Sequence, residues 1–132
     1  MKALNLIVGI CLITAIGWAM TRSVDPPDDF WFQNVVTESE RPVLLKFGAD
    51  WCGPCRQTDQ ALDHATADLN GRVKIVRIDV DQKPELARHY GIQSIPRVML
   101  LDHGKVIASR GGFADENDVV NWVARYTKSE SL

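Results

Sequence analysis

The sequence predicts an α/β domain built on a mixed central sheet of about four strands with helices on both faces. Three observations carry this. Two mostly apolar runs, "RPVLLKF" near Pro42 to Phe47 and "RVKIVRIDV" near Val73 to Val80, flank a long helical stretch, a spacing that calls for parallel pairing and a right-handed crossover. The turn signal "DHG" lies between "RVMLL" and "KVIASR", which makes the last two strands antiparallel neighbours. Helical periodicity brackets the strands at both ends of the chain.

Each element follows from local chemistry. After Pro26 and Pro27, Asp28 and Asp29 cap a short helix in "DDFWFQNVVTES" that puts Trp31, Val35 and Phe32 on one side. The first two strands are apolar enough to read as central. The helix between them runs about four to five turns and ends at Asn70-Gly71, a favoured C-terminal pair. Its Cys55, Thr58, Leu62, Ala65 and Leu69 fall on one stripe, which is the face expected against the core. "KPELARHYG" gives a short helix opened by Pro84 and stopped by Gly91. "DENDVVNWVARY" closes the domain with an amphipathic helix bearing Val119, Val120, Val123 and Tyr126.

Composition limits the function. With 132 residues, 45% of them hydrophobic and 24% charged, the chain fits one globular domain and not a disordered tail or a repeat array. Residues 1–22 stand apart. Between Lys2 and Arg22 there is no charge, and the 18 residues from Ala3 to Met20 lie between a signal-peptide core and the roughly 20 residues that span a bilayer. Gly17 and Ala19 offer a cleavage site, whereas length and Trp18 favour retention, and a retained anchor is the expected form. The expected organisation is a signal peptide or anchor over 1–22, a linker over 23–27, a domain over 28–128 and a tail over 129–132. Lys2 before the segment and Asp25, Asp28 and Asp29 after it keep the N-terminus inside. The domain is then extracytoplasmic, on the periplasmic or cell-surface side, tethered to the inner membrane. Without residues 1–24 the chain carries 13 basic and 17 acidic residues, a net of −4, and no basic stripe, which excludes nucleic acid as a partner.

The chemistry concentrates in "WCGPC", where Gly53 and Pro54 separate Cys52 from Cys55. A helix starting near Gly53 leaves Cys52 at its exposed N-terminus and turns Cys55 into the core. Unpaired N–H groups and a partial positive charge at the helix start favour a thiolate on Cys52, the expected nucleophile. Cys55, one turn on, is placed to attack a mixed disulfide and release the substrate. A structural disulfide and a zinc site are the other readings of a CxxC pair. The first closes a loop too short to constrain the unfolded chain much, and for the second His64, His89 and His103 offer no ligand spacing, so no metal is expected. Cys11, in the leader, is an inert apolar filler.

"WCGPC" with "SIPR" and "GGF" resembles the thioredoxin family over about residues 28 to 128. The resemblance implies the thioredoxin fold, a redox pair at Cys52 and Cys55 with no other cofactor, shielding by Trp51, and helix geometry set by Pro54. It further implies a cis bond at Ile95-Pro96 beside the disulfide and a substrate groove kept open by Gly112. Three positions depart from the family pattern. Lys46 occupies the place of a strand acid, Arg77 that of a nearby lysine, and Arg97 that of a threonine after the proline. The first two bear on how Cys55 is activated, the third on which substrates fit.

The expected activity is thiol-disulfide oxidoreduction on protein disulfides, in the reducing direction because Gly53-Pro54 resembles the dipeptide of reducing thioredoxins. Disulfide oxidation or isomerisation is the alternative enzyme, and a non-catalytic module holding a partner in the Pro96 groove is the alternative outside catalysis. A reductant in an oxidising compartment needs a membrane electron donor, with apocytochromes or misoxidised proteins as clients; a monomer is expected. Lys46 points away from the face of Leu45 and Phe47, so it either snorkels out or ends near Cys55. In the second case, with Arg77 nearby, the site is short of a general base and rich in positive charge, which favours a thiolate on Cys52 or Cys55.

Overall fold

The structure, a computed structural model, describes residues 24–127. The expected leader over 1–22 with its Cys11, and the tail over 129–132, lie outside the described residues. The elements in order are α1 (Phe30–Phe32, continued by a π-helical turn over Gln33–Thr37), β1 (Val43–Gly48), α2 (Gly53–Leu69) and β2 (Lys74–Asp79), then α3 (Pro84–His89), β3 (Arg97–Asp102), β4 (Lys105–Arg110) and α4 (Glu116–Thr127).

The strands form one sheet in the order β2-β1-β3-β4. β1 runs parallel to β2, with Lys46 opposite Arg77, and antiparallel to β3, with Lys46 opposite Val98. β3 and β4 make the expected hairpin, whose turn places both His103 (φ 45°) and Gly104 (φ 79°) in the left-handed region that two-residue hairpin turns require. β2 is an edge strand and not the central one its apolar run suggested. It buries Val76 and Ile78 but leaves Arg77 exposed, and cationic side chains on an unpaired edge discourage strand addition by another chain.

Alternation along β1 feeds two cores. Leu44 joins Leu62, Leu69, Val98, Leu100 and Val119 under α2 and α4. Val43, Leu45 and Phe47 join Phe32, Val36 and Tyr90 under α1 and α3 on the other face. Burial of aliphatic and aromatic side chains at about 25 cal/mol per Å² makes these clusters the main stabilising contribution. The predicted stripe of α2 is fully realised, since Cys55, Thr58, Leu62, Ala65 and Leu69 are all buried. In α1, Asp29 accepts from the Phe32 N–H at 2.7 Å as expected of a cap. There Phe32 and Val36 are the fully buried pair, with Trp31 and Val35 half-buried, because the wider π turn spreads the apolar residues over a broader arc. In α4 the buried stripe is Val119, Trp122 and Val123, and Tyr126 is 45% exposed. Trp122 takes the inner place because its ring meets Phe113 edge-on at 5.6 Å, leaving Tyr126 to lie against the outer side of Trp122.

One ion pair ties α4 to the sheet. Arg110 on β4 grips Asp118 with two hydrogen bonds of 2.9 Å. Desolvation alone would raise the Asp118 carboxyl, but the Arg110 hydrogen bonds, the Ala114 N–H and the charges of Arg110 and Arg125 hold it below the ordinary carboxylate range. A depressed folded-state pKa contributes stability above the unfolded value that is lost as pH falls through the folded one. Asp118→Asn should therefore cost at most about 1 kcal/mol at neutral pH, and its urea midpoint should converge with that of the wild type in acid. A constant difference across that range would count against the pair.

Candidate functional site

Beyond the last residue of β1, Gly48, the loop Ala49–Trp51 carries the chain to the start of α2. Cys52 is the N-cap there, and its Sγ accepts from the Cys55 N–H at 3.3 Å. Pro54 sits in the first turn, where a missing N–H costs nothing. Cys52 and Cys55 are joined as a disulfide with Cα atoms 5.2 Å apart. Cys55 is fully buried as expected, whereas Cys52 is 6% exposed, less open than a helix terminus alone suggests. The cover comes from Ala49, Val80 and Ile95, which pack around the two sulfurs. The pair remains unequal, with one sulfur at the rim and the other sealed.

Trp51 is 70% exposed, so it is not a core residue; its indole N–H donates to Asp81 Oδ2 at 2.8 Å, which holds the ring at the rim. A Cβ on Gly53 would meet nothing within 4 Å, so its surroundings leave the surface before Cys55 open. The Ile95-Pro96 peptide is cis, as the resemblance implied. Gly112 closes against Pro96 and Thr58, since a Cβ there would lie 2.8 Å from Pro96 Cγ and still closer to Thr58 Oγ1. Thr58 Oγ1 in turn accepts from the Phe113 N–H at 3.1 Å, binding this segment to α2. Arg97 opens β3 half-buried and makes no ion pair among the described residues.

Lys46 corrects the charge reading. It is 5% exposed and does not snorkel out; its Nζ meets Asp59 Oδ2 on α2 at 2.8 Å. Arg77, beside Lys46 in the β1-β2 ladder, bonds Asp59 Oδ1 at 3.0 Å and Asp63 Oδ1 at 2.6 Å. The site is thus charge-balanced, with a carboxylate on the helix where none was expected. Sequence reasoning missed Asp59 because its position flanks the apolar stripe of α2 and reads as solvated. The available signal was the Asp59, Asp63 pair four residues apart, facing two cations that share a register on neighbouring strands. Lys46, Gly48, Arg56, Asp59 and Arg77 line an open cavity of about 210 Å³ at this end of the sheet. Among the described residues no cluster of side chains suits a metal ion.

Comparison with known proteins agrees with this geometry. The family model Thioredoxin matches residues 24–125. A thioredoxin of Rickettsia felis is 36% identical over 95 residues, covering 72% of this chain and 90% of that protein. A thioredoxin of the alga Griffithsia pacifica is 36% identical over 107 residues, covering 81% and 98%. Among solved structures, one described as thioredoxin-2, a component of malaria parasite protein secretion machinery, superposes with a TM-score of 0.62 at 24% identity, covering 65% of this chain and 84% of that one, which is a likeness of fold.

Proposed function

Because the chain belongs to the thioredoxin family, we propose that Cys52 is the attacking thiol and Cys55 the resolving thiol of its disulfide reduction. The chain is a thiol-disulfide oxidoreductase of the disulfide-reductase kind, acting on protein disulfides. The observation that carries the assignment is the inequality of the two sulfurs, one capping α2 at the rim and the other buried a turn below. Cys52, as thiolate, attacks one substrate sulfur and expels the other with the bonding pair, forming a mixed disulfide. Cys55 then attacks Cys52, closing the internal disulfide and releasing the second substrate sulfur as a thiol. Two electrons pass from the protein to the substrate. Ile95, Pro96, Arg97 and Gly112 form the platform on which an extended substrate segment lies beside the sulfurs.

The enzyme works outside the cytoplasm as a monomer held to the membrane by residues 3–20. The uncharged run of 18 residues ahead of the acidic linker supports this placement. An extracytoplasmic reductase must be re-reduced, so a membrane electron donor is its partner. Equilibrating the full chain against glutathione and against dithiothreitol tests the direction. A reductase stays oxidised in glutathione buffers and is reduced by the stronger dithiol. Ready reduction by glutathione would mark an oxidase or isomerase instead. Retention in the membrane fraction through a carbonate wash is expected of the anchor, and release of a soluble protein beginning near Met20 would replace it with a cleaved leader.

A further inference from the structure

Behind the disulfide, Gly48 has no space for a side chain. A Cβ built on it would lie 2.5 Å from Lys46 Nζ and 3.2 Å from Cys55 Sγ, so the ammonium and the buried sulfur border the same small space beside Gly48. Lys46 reaches this point because alternation along β1 turns it toward α2, and its carboxylate partner, Asp59, stands one turn beyond Cys55 on that helix. From this geometry we infer that Lys46 is the counter-ion of the Cys55 thiolate, with Asp59 as the positioning residue that holds the ammonium in place.

The inference rests on the assignment of Cys55 as the resolving thiol. A fully buried thiol resists ionisation because desolvation penalises the charged form. An adjacent ammonium opposes that penalty, and it does so only when the cation faces the sulfur. The other charged groups at this end of the molecule are Arg56 and Asp59 on α2, Arg77 and Asp79 on β2, and Asp50 in the loop. Arg77 reaches Asp59 and Asp63, and Arg56 donates to the Asp50 carbonyl at 3.2 Å, whereas the Lys46 ammonium, besides meeting Asp59, borders the space beside Gly48 that Cys55 Sγ also borders. In the resolving step the Cys55 thiol gives up its proton to solvent. The thiolate formed against Lys46 attacks Cys52 Sγ, the bond from Cys52 to the substrate breaks, and the departing sulfur takes its pair and a proton from water. No further oxidant or reductant enters.

Reversing the pair separates this role from a structural one. In a Cys52→Ser chain, where Cys55 is the free thiol of the site, thiolate absorbance gives its midpoint directly. Adding Lys46→Met should raise that midpoint by about one pH unit, a tenfold loss of thiolate at a given pH. Adding Lys46→Asp with Asp59→Lys should restore the salt bridge and the urea midpoint while raising the Cys55 midpoint further, because the carboxylate now faces the sulfur. Equal Cys55 midpoints in all three chains would overturn the inference. The unaltered pair gives a second readout that needs no refolded variant. In the Cys52→Ser chain the Nζ resonance of Lys46 should shift at the pH where Cys55 ionises, and a resonance flat through that pH would also overturn it. Neither measurement involves turnover, so failure of the wild type to reduce disulfides would fall on the proposed function and leave this result standing.

Discussion

In the Cys55→Ser protein, disulfide turnover should fall roughly a thousandfold or more while a covalent adduct with the substrate accumulates. The asymmetry follows from burial. Cys55 has no exposed surface, so it cannot reach an incoming disulfide, and its only accessible electrophile is Cys52 one turn away. Cys52 has a rim position and caps the N-terminus of α2, where the Cys55 N–H donates to its sulfur. Removing Cys55 leaves capture intact and abolishes release, whereas Cys52→Ser should lose both. Intact mass after incubation with a disulfide-bonded protein substrate distinguishes the two. Capture by the Cys52→Ser chain as efficient as by Cys55→Ser would reverse the assignment of roles.

The unequal placement of the two sulfurs was legible because it depends on local chemistry. A CxxC at the start of a predicted helix fixes which sulfur faces out and which faces in, and the stripe from Cys55 to Leu69 was readable from helical period alone. The exposure of Cys52 was not, because its cover is supplied by Val80 and Ile95, distant in sequence. The place of β2 at the sheet edge escaped for a related reason. An apolar run signals burial of two faces, but whether a strand follows on its open side is decided by where β3 inserts. Lys46 shows the same limit at the level of charge. Its strand and facing were read correctly, yet its partner belongs to α2, and only the crossover brings Asp59 over it. Contacts set by period were thus visible in advance, and contacts set by topology were not.

Topology also separates two neighbouring glycines that look alike in the sequence, and the contrast gives a second large effect. Gly111→Ala should be tolerated, because a Cβ there meets nothing within 4 Å. Gly112→Ala should destabilise the protein by about 1–3 kcal/mol, the usual cost of overpacking a well-filled core. Its new carbon would stand 2.8 Å from Pro96 Cγ and press on Thr58 Oγ1, and neither yields easily. Thr58 is buried on the α2 stripe, with a branched side chain whose rotamer is restricted and whose hydroxyl accepts from the Phe113 N–H. Pro96 is a closed ring with no side-chain rotamer to change. The strain must pass to the backbone, pushing the Gly112 segment away from α2 and displacing Pro96 at the edge of the proposed substrate platform. Loss of activity should therefore exceed what the fall in stability accounts for, with disulfide reduction impaired even at temperatures where the variant remains folded. Gly112→Val enlarges both effects. Urea unfolding and reduction rates for the two alanine variants check the argument together. Equal stability and equal rates for Gly111→Ala and Gly112→Ala would mean that the segment gives way without cost and that the close approach of Gly112 to Pro96 sets neither the packing nor the platform.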